Sequence, residues 1–438
     1  MLNIDVPGSK SITQRVLIAA VLSQKKQYIK NALRCDDSVA LAALLETLGH
    51  SFEWTDDGIW VRPSPRSGWA NVDGCTNADG CANADGCARE GECVEAGKTK
   101  SVHCDNAGTT LRFGACLSLL LNFPLTLDGS TRLRERPIGA LVDSLQTLGV
   151  RADYLARDGF PPVCLVGPAK HGFNCVEVDS SVSSQFVSGL LLVAPALLSR
   201  LTVHTQTNVV SQPYIDMTVS LLNRFQIRVE KPTPNTYVVR PGNYIFPNDF
   251  SVECDWSSVA FVLAAAHIAN VLVNIRNIPQ NSIQGDACFV EYLSLFREKR
   301  DRTIDLTHTP DLIAPLAALA AFSFGVTTFV GAAHTRHKES DRISVLANAL
   351  SAIGCRVTET ADGFSVVRVE NGVVEGRCAQ YSSEGRVVLN PMNDHRMAMA
   401  FGLLELGGYP VTVENKECVS KSFPTFWQIL ELIRSKMA

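Results

Sequence analysis

Residues 11–22 read SITQRVLIAAVL, a polar start that runs straight into an apolar stretch, and the same plan recurs five more times along the 438-residue chain. The copies are NAGTTLRFGACLSLLL from Asn106, SSVSSQFVSGLLLVAPALL from Ser180, DWSSVAFVLAAAHIA from Asp255, TPDLIAPLAALAAFSFG from Thr309 and NDHRMAMAFGLLELGG from Asn393. Each is apolar nearly all round, the pattern of a helix buried on every side. A second kind of helix follows each first one after a strand-like interval. It carries apolar residues three and four apart and often ends in Leu-Gly, as in DDSVALAALLETLG and RPIGALVDSLQTLG. β-rich runs such as PLTLDGS, LTVHTQ, VLVNIRN, TTFVG and VTVENKE lie between them. The chain thus divides into about six units of roughly 70 residues, each with two helices and several strands.

Six such units exceed one comfortable core, so two domains of three units each are expected. The boundary is placed in FPNDFSVECDWSS, residues 246–258, and a second crossing near Pro7 and Gly8 assigns the first strand to the second half. That gives one domain from 9–252 and another from 1–8 plus 253–438, with a site expected in the cleft between them. Residues from about 64 to 97 interrupt the first unit with NADGCA repeats rich in Gly, Asp, Asn and Cys, and without them the spacing to Asn106 matches the later units. A flexible surface insert, dispensable for function, is expected there. Cys75, Cys81, Cys87 and Cys93 recur every six residues and lack the close pairing of zinc ligands.

A composition of 46% hydrophobic and 19% charged residues is that of a globular protein, and a net charge of −4 supplies no global field for nucleic acid. Leu312 to Ala333 carries no charge, but Gly325 divides it into a buried helix and a strand, VTTFV, so no membrane span is expected. The N-terminus has no export pattern and none of the 14 cysteines forms a CxxC pair, which suits reduced thiols in a cytoplasm.

Helix N-termini carry about half a positive charge, so Lys or Arg in a first turn costs about 0.3–1 kcal/mol. Here the unfavourable placement repeats: Lys10 and Arg15 flank the first buried helix, Arg112 the second, and Arg396 lies in the first turn of the sixth. Lys338 and Arg342 stand one turn apart in HKESDR, and Lys421 precedes the last helix. Any one alone is an ordinary surface charge; together they point to anions held between helix ends and cations. TRLRERP adds Arg132, Arg134 and Arg136 at a spacing of two, which on a strand puts all three on one face. SSVSSQ offers hydroxyls and backbone amides to a phosphate. Asp311, beside Pro310 at a buried helix start, and Glu339, inside HKESDR, are the acid and base candidates. NDHR lacks a metal-ligand partner for His395, and no GxxxxGK[ST] loop is present.

PGSKSITQR at 7–15, NAGTTLR at 106–112, RLRERPIG at 132–139, SSQF at 183–186, HKESDR at 337–342, NDHRMAM at 393–399 and KSFP at 421–424 resemble, in order, the 5-enolpyruvylshikimate-3-phosphate synthase family. The resemblance implies an α/β (α+β) enolpyruvyl transferase fold of two domains, each of three βαβαββ units with buried helices. It implies transfer of the carboxyvinyl group of phosphoenolpyruvate to the 5-hydroxyl of shikimate 3-phosphate, releasing phosphate, in the shikimate pathway of aromatic amino-acid biosynthesis. No metal or other cofactor, nucleic acid or membrane is implied, and a cytoplasmic monomer is expected.

Carried over by residue, the resemblance puts Lys10, Ser11, Arg15, Ser183, Ser184, Gln185, Ser211, Tyr214, Asp311, His334 and Lys338 against shikimate 3-phosphate. Phosphoenolpyruvate would lie against Lys10, Asn106, Gly108, Thr109, Arg132, Gln185, Arg342, His395, Arg396 and Lys421. Asp311 would accept the hydroxyl proton and Glu339 would protonate the methylene carbon, with Lys10 assisting. Two positions depart from the family: His334 stands where many members carry Asn, and Phe113 where many carry Pro. The second puts sensitivity to glyphosate in doubt. The sister carboxyvinyltransferase acting on UDP-N-acetylglucosamine is disfavoured because its GAKN start is absent and PGSKS and SSQF are present.

Overall fold

The computed structural model describes residues 1–64, 99–168, 174–206, 209–369 and 380–437. Of the Cys-rich insert only Ser64 falls among the described residues; Cys75, Cys81, Cys87 and Cys93 lie outside them.

The first half carries helices α1 (Lys10–Leu22), α2 (Asp36–Thr47), α3 (Gly108–Leu117), α4 (Thr131–Arg134), α5 (Gly139–Thr147), α6 (Gln185–Val193) and α7 (Gln212–Arg224). The second carries α8 (Trp256–Ala269), α9 (Phe289–Leu295), α10 (Ile313–Ala320), α11 (Arg342–Ala352), α12 (His395–Leu406) and α13 (Phe426–Arg434). The Ala/Leu-rich copies read from the sequence are α1, α3, α6, α8, α10 and α12, and every residue of α3 and α10 is buried. Small side chains allow close approach of such helices: α3 packs on α6, and α10 lies against α8 and α12. No helix among the described residues is long and apolar enough to cross a membrane.

Four of the buried helices, α3, α6, α10 and α12, are crossovers between parallel strands. Lys100–His103 runs parallel to Pro124–Asp128 through α3; α5 follows, then the antiparallel pair Arg151–Tyr154 and Val163–Val166. Cys175–Val178 and Leu201–Thr205 repeat the plan around α6 and α7, and Arg302–Asp305 and Val326–Val330 repeat it around α10 and α11. This order is βαβαββ. In Pro124–Asp128, Leu125 and Leu127 are buried while Thr126 and Asp128 are half-exposed, so the sheets face helices on one side only.

The apolar residues gather into two cores. One contains Val16, Leu44, Leu111, Phe186, Leu190 and Tyr237; the other contains Ile4, Val6, Phe261, Leu316, Met397 and Phe426. Membership changes between Val252 and Cys254 and again between Val6 and Ile12. The two crossing segments run side by side. Ser9 N donates to Glu253 O at 2.7 Å, Asp255 N donates to Pro7 O at 2.9 Å, and Leu2–Ile4 pairs in parallel with Val273–Ile275.

The strand expected at TRLRERP is corrected. Ser130 Oγ accepts from Leu133 N at 3.3 Å, and this cap turns the segment into the short helix α4 with Leu133 buried beneath it. The three arginines therefore go three ways. Arg132 donates to the carbonyls of Lys338 and Arg336, Arg134 is an exposed partner of Asp128, and Arg136 is buried.

Gly8 lies at the crossing, where a Cβ would stand 1.9 Å from the carbonyl oxygen of Asn31. Gly8→Ala is therefore expected to lower stability by about 1–3 kcal/mol, as overpacking against backbone does. Thermal or denaturant unfolding measures this, and an unchanged midpoint would mean that the crossing is loosely packed.

Candidate active site

Helix starts from both halves converge on one cavity. Lys10, Ser11 and Arg15 enter it from α1, Gly108 and Thr109 from α3, and Gln185 from α6, with Ser183 and Ser184 just before it. Ser211 and Tyr214 come from the start of α7, Asp311 from the turn before α10, Arg342 from α11 and Arg396 from α12. His334, Lys338 and Glu339 complete this wall. Six cations, Lys10, Arg15, Arg136, Lys338, Arg342 and Arg396, face three carboxylates, Asp37, Asp311 and Glu339. In a chain of net charge −4 this local excess is the signature of an anion site.

The caps of two of these helices are left unused. Ser184 precedes α6 and Ser211 precedes α7, yet neither side chain accepts a hydrogen bond from its own helix. Ser211 adopts a left-handed φ of 55°, and its amide donates to Thr307 O at 2.9 Å across the two halves. Both hydroxyls therefore remain available to an incoming oxyanion beside the positive helix ends.

Arg15 is buried and held by neutral groups: Thr218 Oγ1 at 2.7 Å, Ser11 O at 2.9 Å, Tyr214 O at 3.2 Å and Ser188 Oγ at 3.3 Å. Its guanidinium also lies 5.6 Å from the centroid of Phe113, so the family departure at Phe113 packs against a site cation. Arg112 sits behind the wall and donates to Gln185 Oε1 at 2.7 Å, while Gln185 Nε2 donates to Thr109 Oγ1 at 2.9 Å. That relay fixes the amide orientation of Gln185.

Lys10, Arg136, Arg342 and Arg396 are already paired with carboxylates. Arg342, 1% exposed, reaches Asp311 at 2.7 Å, Glu339 at 2.8 Å and Asp394 at 2.8 Å. Asp311 also takes Arg396 at 3.0 Å and the Tyr214 hydroxyl at 2.8 Å. Burial alone would raise the Asp311 carboxyl, but Arg396, Lys338 and Arg342 outweigh it and hold it well below the usual carboxylate range. The same contest, won by Arg136, Arg342, Lys421 and Lys10, holds Glu339 well below its ordinary value. Burial lowers Lys10, yet Asp37 and Glu339 leave it raised; its Nζ lies 3.0 Å from Asp37. Lys338 is drawn down to about 8, by burial first, with Arg342 and Arg136 adding to the fall. Burial and then Lys338 push His334 down to about 3, so its ring stays neutral near neutral pH and adds no titration there.

Four of the expected residues lie outside the cavity wall. Asn106 offers its backbone oxygen to Arg136 at 3.2 Å and to Lys421 at 3.3 Å. Lys421 is paired with Asp37 behind Lys10, and His395 is fully buried at the start of α12, 3.8 Å from Asp394. Arg132 ties α4 to the carbonyls of Lys338 at 3.1 Å and Arg336 at 2.8 Å. Three wall residues, Asp37, Arg136 and Val182, were not among the expected ligands. An acid in the first turn of a helix looks like an ordinary dipole partner, so Asp37 carried no signal. Arg136 was visible as a basic residue but hidden among neighbours that face elsewhere.

A family model described as EPSP synthase (3-phosphoshikimate 1-carboxyvinyltransferase) matches residues 2–84 and 81–430. The 3-phosphoshikimate 1-carboxyvinyltransferase of Methanosphaerula palustris is 33% identical over 442 residues, covering 97% of this chain and 95% of the relative. The protein of that name from Serratia proteamaculans is 32% identical over 446 residues, covering 98% and 95%. A solved structure of EPSP synthase from Acinetobacter baumannii superposes with a TM-score of 0.70 at 20% identity, over 98% of this chain and 95% of that one, a likeness of fold.

Because Lys338 is a cation only below about 8, an anion in the cavity loses a partner as pH rises through that value. Sulfate, whose own charge is constant there, is expected to bind about tenfold more weakly above this pH, the scale of one charged hydrogen bond. Lys338→Met should bind weakly throughout and lose the pH dependence. Equal dependence in both proteins would remove Lys338 from the anion site.

Proposed function

The chain belongs to the EPSP synthase (3-phosphoshikimate 1-carboxyvinyltransferase) family, and from that premise we propose how its own residues transfer a carboxyvinyl group. The reaction moves that group from phosphoenolpyruvate to the 5-hydroxyl of shikimate 3-phosphate. Each substrate carries a phosphate and a carboxylate, which accounts for cations at helix starts that would otherwise be unfavourable. The observation that carries the residue assignment is Asp311, an ionised carboxylate held among cations at the meeting of both halves.

In this reading Ser11 and Arg15 take the shikimate carboxylate, and Ser183, Ser184, Ser211 and Lys338 take its phosphate, with Gln185, Tyr214 and His334 lining the ring. Phosphoenolpyruvate lies against Lys10, Gly108, Thr109, Arg342 and Arg396. Asn106, Arg132, His395 and Lys421, outside the present wall, join it as the halves adjust around the ligands. The units 9–252 and 1–8 plus 253–438 are the bodies that move. A cytoplasmic monomer completes this reading, as the family resemblance implies.

Asp311 takes the 5-hydroxyl proton as that oxygen bonds to C2 of phosphoenolpyruvate, while the C2–C3 π pair takes a proton at C3 from Glu339. The bond from C2 to the phosphate oxygen then breaks with its electron pair. Glu339 recovers the C3 proton, the double bond re-forms, and the proton held by Asp311 leaves with the phosphate. Cations hold Glu339 ionised in the empty site. An arriving phosphate and carboxylate offset those cations, raise the Glu339 carboxyl and let it load a proton from solvent.

Phosphate release with both substrates tests the activity, and Asp311→Ala is expected to lower kcat at least about a hundredfold while keeping the fold. Near-normal turnover would remove Asp311 as the base. Calorimetry on Asp311→Ala saturated with shikimate 3-phosphate, titrated with phosphoenolpyruvate in buffers of different ionisation enthalpy, should record net proton uptake. Glu339→Gln in the same background should abolish it; uptake that survives would assign the proton elsewhere.

A further inference from the structure

Behind Tyr214 lies a second, small cavity bounded by Ser11, Tyr214, Asp255, Ser257, Gly285 and Asp286. Asp286 is a buried carboxyl that the mechanism above does not use. Its Oδ2 receives the Ser257 hydroxyl and stands 3.5 Å from the Tyr214 phenol oxygen, while its Oδ1 is buried without a hydrogen-bond partner among the described residues. Tyr214 has one hydrogen, and at 2.8 Å it is committed to Asp311 Oδ2. A hydrogen between Tyr214 and Asp286 must therefore come from Asp286. The approach is built into the chain, since a Cβ on Gly285 would lie 2.3 Å from Pro213 Cβ, the residue next to Tyr214. The 3.5 Å separation is long for such a bond, and a shift of about half an ångström closes it.

We propose that Asp286 is a positioning residue for carboxyvinyl transfer: as a carboxylic acid it donates to the Tyr214 phenol, which donates to Asp311 and holds that carboxylate oriented toward the substrate hydroxyl. Chained donors of this kind polarise and strengthen one another in a low-dielectric site. The charges facing Asp286 are Asp311 before α10, Asp255 at the start of α8 and Arg396 on α12, with Tyr214 on α7 and Cys288 on its own turn. Burial first, then Asp311, pushes Asp286 up to about 7, so the acid form is populated near neutral pH. Its ionisation removes the donor to Tyr214 and puts a second negative charge behind Asp311.

The proposal rests on Asp311 as the base. Carbon NMR on enzyme carrying carboxyl-labelled aspartate should reveal a group titrating near neutral pH that vanishes in Asp286→Asn; its absence from the wild type would overturn the proposal whatever the activity of Asp311 variants. In turnover, the wild-type kcat should step down as pH rises past about 7, with KM little changed. Asp286→Ala should lower kcat about tenfold, the scale of one hydrogen bond to a charged network, and Asp286→Asn, whose amide still donates to the phenol, about threefold. Both, and Tyr214→Phe, should lose the step. Equal kcat in the Asn and Ala variants with the wild-type step retained would overturn the proposal, whereas normal turnover by Asp311→Ala with the NMR titration intact would overturn only the base assignment.

Discussion

One buried guanidinium organises the site. Arg342 is 1% exposed and answers three carboxylates on three different elements: Asp311 before α10, Glu339 just ahead of α11 and Asp394 at the cap of α12. Taking a charge out of water costs several kcal/mol unless partners repay it, and each member of this cluster lowers that cost for the others. The cluster ties three helix starts of the second half together and holds the Asp311 and Glu339 carboxyls well below their ordinary values. Carboxylates inside the protein stand in for the anions of the substrates. In the proposed reading, binding exchanges these internal carboxylates for the anionic groups of the substrates.

Much of this was legible in the chain. Buried crossover helices announce themselves because small and apolar residues fill every face of α10, IAPLAALA, and most of α3, GTTLRFGACL, and hairpin strands follow at regular spacing. Lysines and arginines in first turns stood out because they oppose a known dipole, and Lys10, Arg342 and Arg396 do line the cavity. What failed to show was of a different kind. A spacing of two suggested a strand at Arg132 to Arg136, but a single hydroxyl, Ser130, capped a helical turn and sent the three side chains apart. Asp37 and Asp286 stand where acids near helix starts belong, and only the fold reveals that one lies between two lysines and the other against Tyr214.

The departures from the family also acquire physical content. Phe113 places an aromatic face near Arg15, an electron-rich surface where many members have an imino acid, and the cation it supports also lies near the Tyr214 ring and is held by neutral oxygens. His334 keeps a neutral ring because Lys338 stands beside it in a buried place. A neutral ring offers a donor and an acceptor, as an amide side chain does.

The strand Leu2–Ile4 has its partner in Val273–Ile275, a pairing that spans 271 residues, as the bonds between Val6 and Asn277 also do. A ribosome delivers those first residues long before their neighbours exist. The first core can collapse as its helices emerge, but the sheet that opens the second must wait with one edge unpaired until the chain has been made past its midpoint. Loop closure over such a distance is slow relative to local helix formation. The beginning of this chain thus finds its place only after Val273–Ile275 is made, and the second core depends on a segment synthesised before any of the rest of it.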